Sequence, residues 1–117
     1  MYVDGFVLPV PKRKRTAYLK MARKAGKIWR EYGALDYKEC VADDVKPGRW
    51  TSFPQSVKLK KDLAVWFSFI VYRSRKQRDR IMAKVMKDKR LAGLGIKDMP
   101  FDGKRMIFGG FKVMVDA

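Results

Sequence analysis

The ten residues LAVWFSFIVY, 63–72, restrict the fold more than any other part of the chain. Successive side chains of a strand point to opposite faces, so Val65, Phe67, Phe69 and Val71 share one side and Trp66, Ser68, Ile70 and Tyr72 the other. Both sides are apolar. The stretch 106–115 repeats the pattern: Met106, Phe108 and Gly110 alternate with Ile107, Gly109 and Phe111, again without a polar face. Strands of this kind must be covered on both faces.

The rest of the chain supplies cover for one face. YVDGFVLPV (2–10) alternates, is rich in aromatic and β-branched residues and is closed by Pro9 and Pro11, which predicts a strand. In RKRTAYLKMARKAGKIWREY (13–32), residues set 100° apart place Tyr18, Met21, Ala22, Ala25, Trp29 and Tyr32 on one side of a helix. Lys20, Arg23, Lys24, Lys27 and Arg30 fall on the other, and Gly33 ends the helix. ALDYKECVADD (34–44) reads as a second strand, followed by a Pro-Gly turn at 47–48. WTSFPQSVKLK (50–60) reads as short extended pieces interrupted by Pro54 at a sheet edge. SRKQRDRIMAKVMKDKR (74–90) predicts a second basic helix with Ile81, Val85 and Met82 inward, and KRMIFGGFKVMVD (104–116) a last strand.

The resulting order, β-α-β-β-α-β, is that of an α+β ferredoxin-like sandwich with both helices on one sheet face, and 117 residues suit one domain, 1–117. Two helices leave the second face bare. A second copy of the chain covers it most economically, so a homodimer packed sheet against sheet, a dimeric α+β barrel, is expected. Phe67, Phe69, Ile70, Ile107, Phe108 and Phe111 are the strand residues expected in the core or the homodimer contact.

Composition excludes much chemistry. Histidine is absent and Cys40 is the single cysteine, which removes Ser-His-Asp and Cys-His pairs, His-ligated haem, His-containing zinc sites, thiolate clusters and intramolecular disulfides. No cofactor and no metal are expected. No apolar run reaches the ~20 residues of a membrane span, and MYVDGFVLPVP lacks the marks of a signal peptide, so a cytoplasmic location without a membrane partner is expected.

Among carboxylates, Glu39 and Asp43 share a face of the second strand and form the acid/base candidate if a cleft forms there; strand termination and salt bridges compete with that role. Cys40 points the other way and is expected to be a small buried apolar residue. Asp102 in FDGKR reads chiefly as a turn residue. Gly109 and Gly110 mark a bulge or close sheet packing and not a phosphate loop. The seven methionines suit irregular packing or an adaptable interface.

Charge is the largest compositional bias: 28 basic against 12 acidic residues leave +16, with nine basic residues in 12–30 and nine in 73–90. Such helices attract polyanions at low salt. Their aromatic residues point inward and offer no stacking platform, so a solvated face fits better than specific nucleic-acid recognition.

MYVDGFVLPVP, GKIWREYGALDYKECVADDVKPGRWTSFP (26–54) and above all MPFDGKRMIFGGF (99–111) resemble the bacterial YbaA-like family of uncharacterised proteins over nearly the whole chain. The resemblance implies the dimeric α+β barrel superfamily, with ferredoxin-like sheets paired face to face. It also implies relatives among small cofactor-independent monooxygenases and isomerases, but no particular activity. Leu19, Trp50, Leu63, Ala64, Trp66, Lys89 and the basic surplus depart from the expected pattern. Interface engineering leaves such a scatter, and so does natural divergence.

Three functions follow as expectations. The first is a homodimeric scaffold whose outer face, Arg15, Leu19, Arg23, Leu63 and Trp66, presents apolar anchors in a basic rim to a second, acidic protein component of a larger symmetric assembly. The second is a small-molecule-binding protein or cofactor-independent enzyme using a cavity between the paired sheets, with Asp4, Ser68 or Tyr72 as its polar groups. The third is non-specific polyanion binding.

Overall fold

The computed structural model of the chain describes residues 1–91 and 100–117. Strand β1 (Tyr2–Pro11) leads through a 3-10 turn into helix α1 (Arg15–Glu31). Then come β2 (Asp36–Val41), the one-turn helix α2 (Phe53–Ser56), β3 (Leu63–Tyr72), α3 (Arg75–Met86) and, after a 3-10 turn at Gly103–Arg105, β4 (Ile107–Lys112). The fold is α+β, with one antiparallel four-stranded sheet in the order β2-β3-β1-β4.

The register explains where the core sits. Tyr2 lies opposite Tyr72, Phe6 opposite Ser68 and Leu8 opposite Trp66, so the even-numbered residues of β1 and β3 share one face. Leu8, Val10 and Trp66 pack against Tyr18 and Ala22 of α1. Ile70 and Tyr72 pack against Ile28 of α1 and against Ile81 and Val85 of α3. Both long helices therefore lie on the same face. Each fully buried Ile or Val there contributes about 1.5–3 kcal/mol relative to exposure.

Local chemistry sets the element ends. Gly33 follows α1 at φ 112°, in the left-handed region that glycine adopts without a Cβ clash. Ser74 caps α3: its Oγ accepts from the Gln77 backbone N–H at 3.0 Å, while Gln77 Oε1 accepts from Arg73 N–H at 2.6 Å and Gln77 Nε2 donates to the Gly33 carbonyl at 3.3 Å. One side chain thus joins the start of α3 to the end of α1. α1 has no such cap and no acid in its first turn. Its amphipathic burial holds it, since packing rather than propensity stabilises most helices in proteins.

The opposite sheet face is only partly covered. Val7, Val57 and Val65 form a small cluster with Leu59, contributed by the turn after α2. Beyond it Phe67 is 41%, Ile107 45% and Phe111 63% exposed. Phe111 lies across Gly5 and Gly109, which face each other in the β1–β4 ladder, and the Tyr2 ring lies against Gly110, where any Cβ would overlap it. These glycines serve close packing.

Several expectations are corrected. Residues 50–60 are not strand: Ser52 caps α2 by accepting from Gln55 N–H at 3.2 Å, and Pro54 occupies the first turn, where its missing donor costs nothing. Trp66 is not an outer-face anchor. It is 3% exposed, and its ring lies 4.7 Å from Tyr18, because its pairing with Leu8 turns it toward α1. Leu19 and Leu63 are half-buried, Leu19 against the Leu8 cluster, while Arg15 and Arg23 are exposed. Cys40 is exposed, not buried, since its side of β2 is the uncovered one. Of the strand residues expected in the core or the homodimer contact, Ile70 does lie in the core on the helix face, while Phe108 shares that face, stacks on Phe6 at 6.2 Å and stays exposed. The second strand stops at Val41 and the last at Lys112, short of the expected 44 and 116. Of MPFDGKRMIFGGF, Met99 lies outside the described residues.

Candidate functional site

Between the helices and the sheet lies a cavity of about 380 Å³, within the range of small-molecule sites. Phe6, Ser68 and Ile70 line it from the sheet, Met21, Ala25 and Trp29 from α1, and Met82 and Met86 from α3. Leu91, Phe101 and Met106 contribute beside them. The walls are apolar, five of the lining residues are aromatic, and four of the seven methionines face it, so its surface can adjust to an occupant.

The polar groups converge on Glu39. Tyr37, Glu39 and Val41 share one face of β2 and stand opposite Ile70, Ser68 and Trp66 of β3. That register turns the Glu39 carboxylate toward the cavity. Its Oε2 accepts from the Tyr18 hydroxyl at 2.8 Å and its Oε1 from the Tyr37 hydroxyl at 3.0 Å. Burial pushes the carboxyl above its ordinary range, and the two tyrosine donors offset part of that rise. The hydroxyls of Tyr18 and Tyr37 are pushed up in turn, first by burial and then by the adjacent carboxylate, so both remain protonated donors. Gly26 of α1 makes the arrangement sterically possible, since a Cβ there would stand 2.7 Å from the Tyr37 ring.

A second polar group braces the wall. Asp4 is 6% exposed and accepts from Arg78 Nη1 at 2.7 Å. The Tyr72 hydroxyl also faces Asp4 and itself accepts from Trp29 Nε1 at 3.1 Å. The Arg78 guanidinium lies 5.0 Å above the Tyr2 ring. Burial pushes Asp4 up and the Arg78 charge opposes it, so this carboxylate is matched and structural. Through Tyr72 it holds Trp29 in the cavity wall.

The remaining expected residues fall elsewhere. Asp4, Ser68 and Tyr72 all lie on the helix face, so the cavity belongs to one chain and not to the space between paired sheets. Glu39 and Asp43 do not form a pair. β2 ends at Val41, so the alternation that would have joined them stops, and Asp43 lines a separate groove of about 250 Å³ on the open face with Cys40, Phe53 and Phe67. Asp102 Oδ1 accepts from Lys104 N–H at 3.0 Å and serves its turn.

Sequence reasoning placed Tyr18, Met21, Ala25 and Trp29 inward but did not connect them to Glu39. The signal was the spacing of Tyr37 and Glu39, two positions apart on one strand face. It also missed the cluster around Asp88, which accepts from Tyr32 Oη at 2.6 Å and from Arg90 at 2.8 to 3.1 Å, while Arg90 reaches Glu31 at 2.7 Å. These partners, up to 59 positions apart, join the end of α1 to the segment after α3. Among the described residues no three or more Cys, Asp or Glu are grouped to hold a metal ion, and no helix is long and apolar enough to cross a membrane.

The family model described as "Protein of unknown function (DUF1428)" matches residues 1–103. The chain is 48% identical over 115 residues to "Uncharacterized protein YbaA" of Escherichia coli K12, an alignment that covers 98% of this chain and 97% of the relative. The YbaA proteins of Escherichia coli O157:H7 and Shigella flexneri match at the same identity and coverage.

Proposed function

We propose that this chain, which belongs to the DUF1428 family of proteins of unknown function, binds a small, largely apolar molecule between its helices and its sheet, with Glu39 as the polar anchor. The observation that carries the reading is a roughly 380 Å³ apolar cavity with one carboxylate held by two tyrosine hydroxyls. A packed core has no use for that volume, and a half-buried carboxylate that enters no ion pair among the described residues costs stability that a binding role offsets. Glu39 is also placed to accept a proton from an occupant.

The test is titration with a neutral aromatic fluorophore such as N-phenyl-1-naphthylamine. Wild-type protein is expected to bind it near stoichiometrically at micromolar concentration. Ala25→Phe, which fills the cavity from α1, is expected to abolish binding while the far-UV circular dichroism stays unchanged. Binding unaffected by Ala25→Phe would refute the site.

A second reading concerns the open face. Exposed Phe67, Ile107 and Phe111 on an otherwise regular strand surface favour a sheet-to-sheet homodimer, the ferredoxin-like dimeric barrel expected from the two-faced strands. An assembly role for the outer face is a separate reading, resting on Arg15, Leu19, Arg23 and Leu63 without the buried Trp66. It holds whether the basic surplus was evolved or installed. Polyanion binding by the exposed basic residues of α1 and α3 is the weaker reading, because no aromatic side chain accompanies them outward.

A further inference from the structure

Resting on the cavity reading above, we infer that the occupant is a lipophilic cation: an aromatic or aliphatic ammonium group seated against Glu39 and the surrounding rings. Three observations converge on this chemistry. First, among the described residues no Lys or Arg lines the cavity, and Glu39 enters none of their ion pairs, although the chain carries 28 basic side chains. The other inward carboxylate of the sheet, Asp4, is matched by Arg78 at 2.7 Å, so among the described residues one of the two has a counter-charge and the other faces the cavity without one.

Second, each Glu39 oxygen accepts one tyrosine hydroxyl, and carboxylate oxygens keep a further lone-pair site each. The tyrosines fix the carboxylate and leave it acceptor-only toward the cavity. Among the described lining residues an anionic occupant meets repulsion and no side-chain donor except Ser68 and the already engaged groups of Tyr18, Tyr37 and Trp29. A cation meets an oriented acceptor in a desolvated setting, where the attraction is stronger than in water.

Third, the walls are those that hold organic cations. Trp29 and Tyr37 stand with ring centroids 6.2 Å apart at 44°, and Tyr18 and Phe101 lie 5.9 Å apart edge to face. Aromatic faces around an ammonium group attract it through the ring quadrupole without competing as hydrogen-bond donors. The net charge of +16 opposes cation approach through solvent, but that opposition is screened beyond roughly 8 Å at physiological salt, whereas Glu39 faces the occupant directly.

The experiment compares three probes of one shape family against the whole chain: benzyltrimethylammonium, its neutral carbon isostere neopentylbenzene, and benzoate. Affinities come from calorimetry. The seat is located by methyl shifts of ¹³C-methionine, since Met21, Met82, Met86 and Met106 line the cavity. The expected result is ammonium binding about 10-fold tighter than the isostere, with shifts at those methyls, no binding of benzoate, and loss of the preference in Glu39→Gln. Equal affinity for ammonium and isostere in the wild type, or tighter binding of benzoate, overturns the cation assignment and leaves the cavity reading standing. Absence of methyl shifts with all three probes overturns both. The wild-type comparison of isosteres decides without relying on the fold of the variant.

Discussion

Glu39 gives the molecule a pH dependence opposite to that of most carboxylates. Burial raises its folded pKa above the ordinary glutamate value, so its contribution to stability is full at pH below that value. As pH rises through it, the unfolded chain releases its proton first and stability falls, until the folded pKa is passed. Glu39→Gln does not titrate. Its stability relative to wild type is therefore expected to improve between about pH 4 and pH 7, as read from urea midpoints across that range; a constant difference would mean that Glu39 is solvated. Gly26 tests the same site from the helix side. Alanine there gains about 1 kcal/mol in helix propensity, but its Cβ meets the Tyr37 ring at 2.7 Å, and overpacking costs roughly 1–3 kcal/mol. Gly26→Ala is expected to lower stability by roughly 1 kcal/mol and to weaken fluorophore binding, where an isolated helix would be stabilised.

Elements are joined by few side chains, each with a measurable effect. Ser74 caps α3, and Ser74→Ala is expected to cost about 1 kcal/mol in chemical denaturation, with unchanged denaturant slope. Asp88 works in the opposite pH sense to Glu39. Hydrogen bonds from Arg90 and Tyr32 hold it well below the usual carboxylate range, so its contribution is present above that range and is lost as pH falls through the folded pKa. Asp88→Asn is expected to be less stable than wild type at pH 7, with the gap narrowing below about pH 4 and closing only as pH falls through the folded pKa, and an offset that does not change with pH would show that the ionised form is not what matters. Because the cluster joins the end of α1 to the segment after α3, the variant should also relax the wall that Leu91 contributes to the cavity.

At the scale of the molecule the helices cover one sheet face and leave Phe67, Ile107 and Phe111 exposed on the other, the face proposed above for a second copy. Placing a charge on that face, as in Phe111→Glu or Phe67→Glu, is expected to convert a dimer to a monomer in light scattering at ~0.15 M and ~1 M salt, because a desolvated carboxylate in an apolar contact costs several kcal/mol. Fluorophore binding should persist in those monomers, since the cavity is built within one chain. A wild-type protein that is monomeric at all concentrations would remove the sheet-to-sheet reading while leaving the cavity intact.

Much of this was legible in the residues alone. Periodicity located both long helices and the four strands, because strand alternation and the helical repeat are local properties of the chain; β3 falls on 63–72 as read. Residues 53–56 are harder to read, because a proline inside an apolar stretch suits a strand edge as well as the first turn of a helix, and it is the Ser52 cap on Gln55 that decides. Faces were the harder matter. A strand apolar on both sides declares that both are covered without saying by what, and only the β1–β3 register turned Trp66 to the helices and Phe67 to the open side. The site was less legible still. Tyr18 and Glu39 are 21 positions apart and Asp4 and Arg78 74 apart, and no local pattern reports a meeting at that distance. Composition by itself excluded histidine and thiolate chemistry and left carboxylate and tyrosine chemistry open. Which carboxylate would be matched by an arginine, and which would face a cavity among aromatic rings and tyrosine hydroxyls, was decided by tertiary packing, because charge pairing and desolvation depend on distances that exist only once the sheet is assembled.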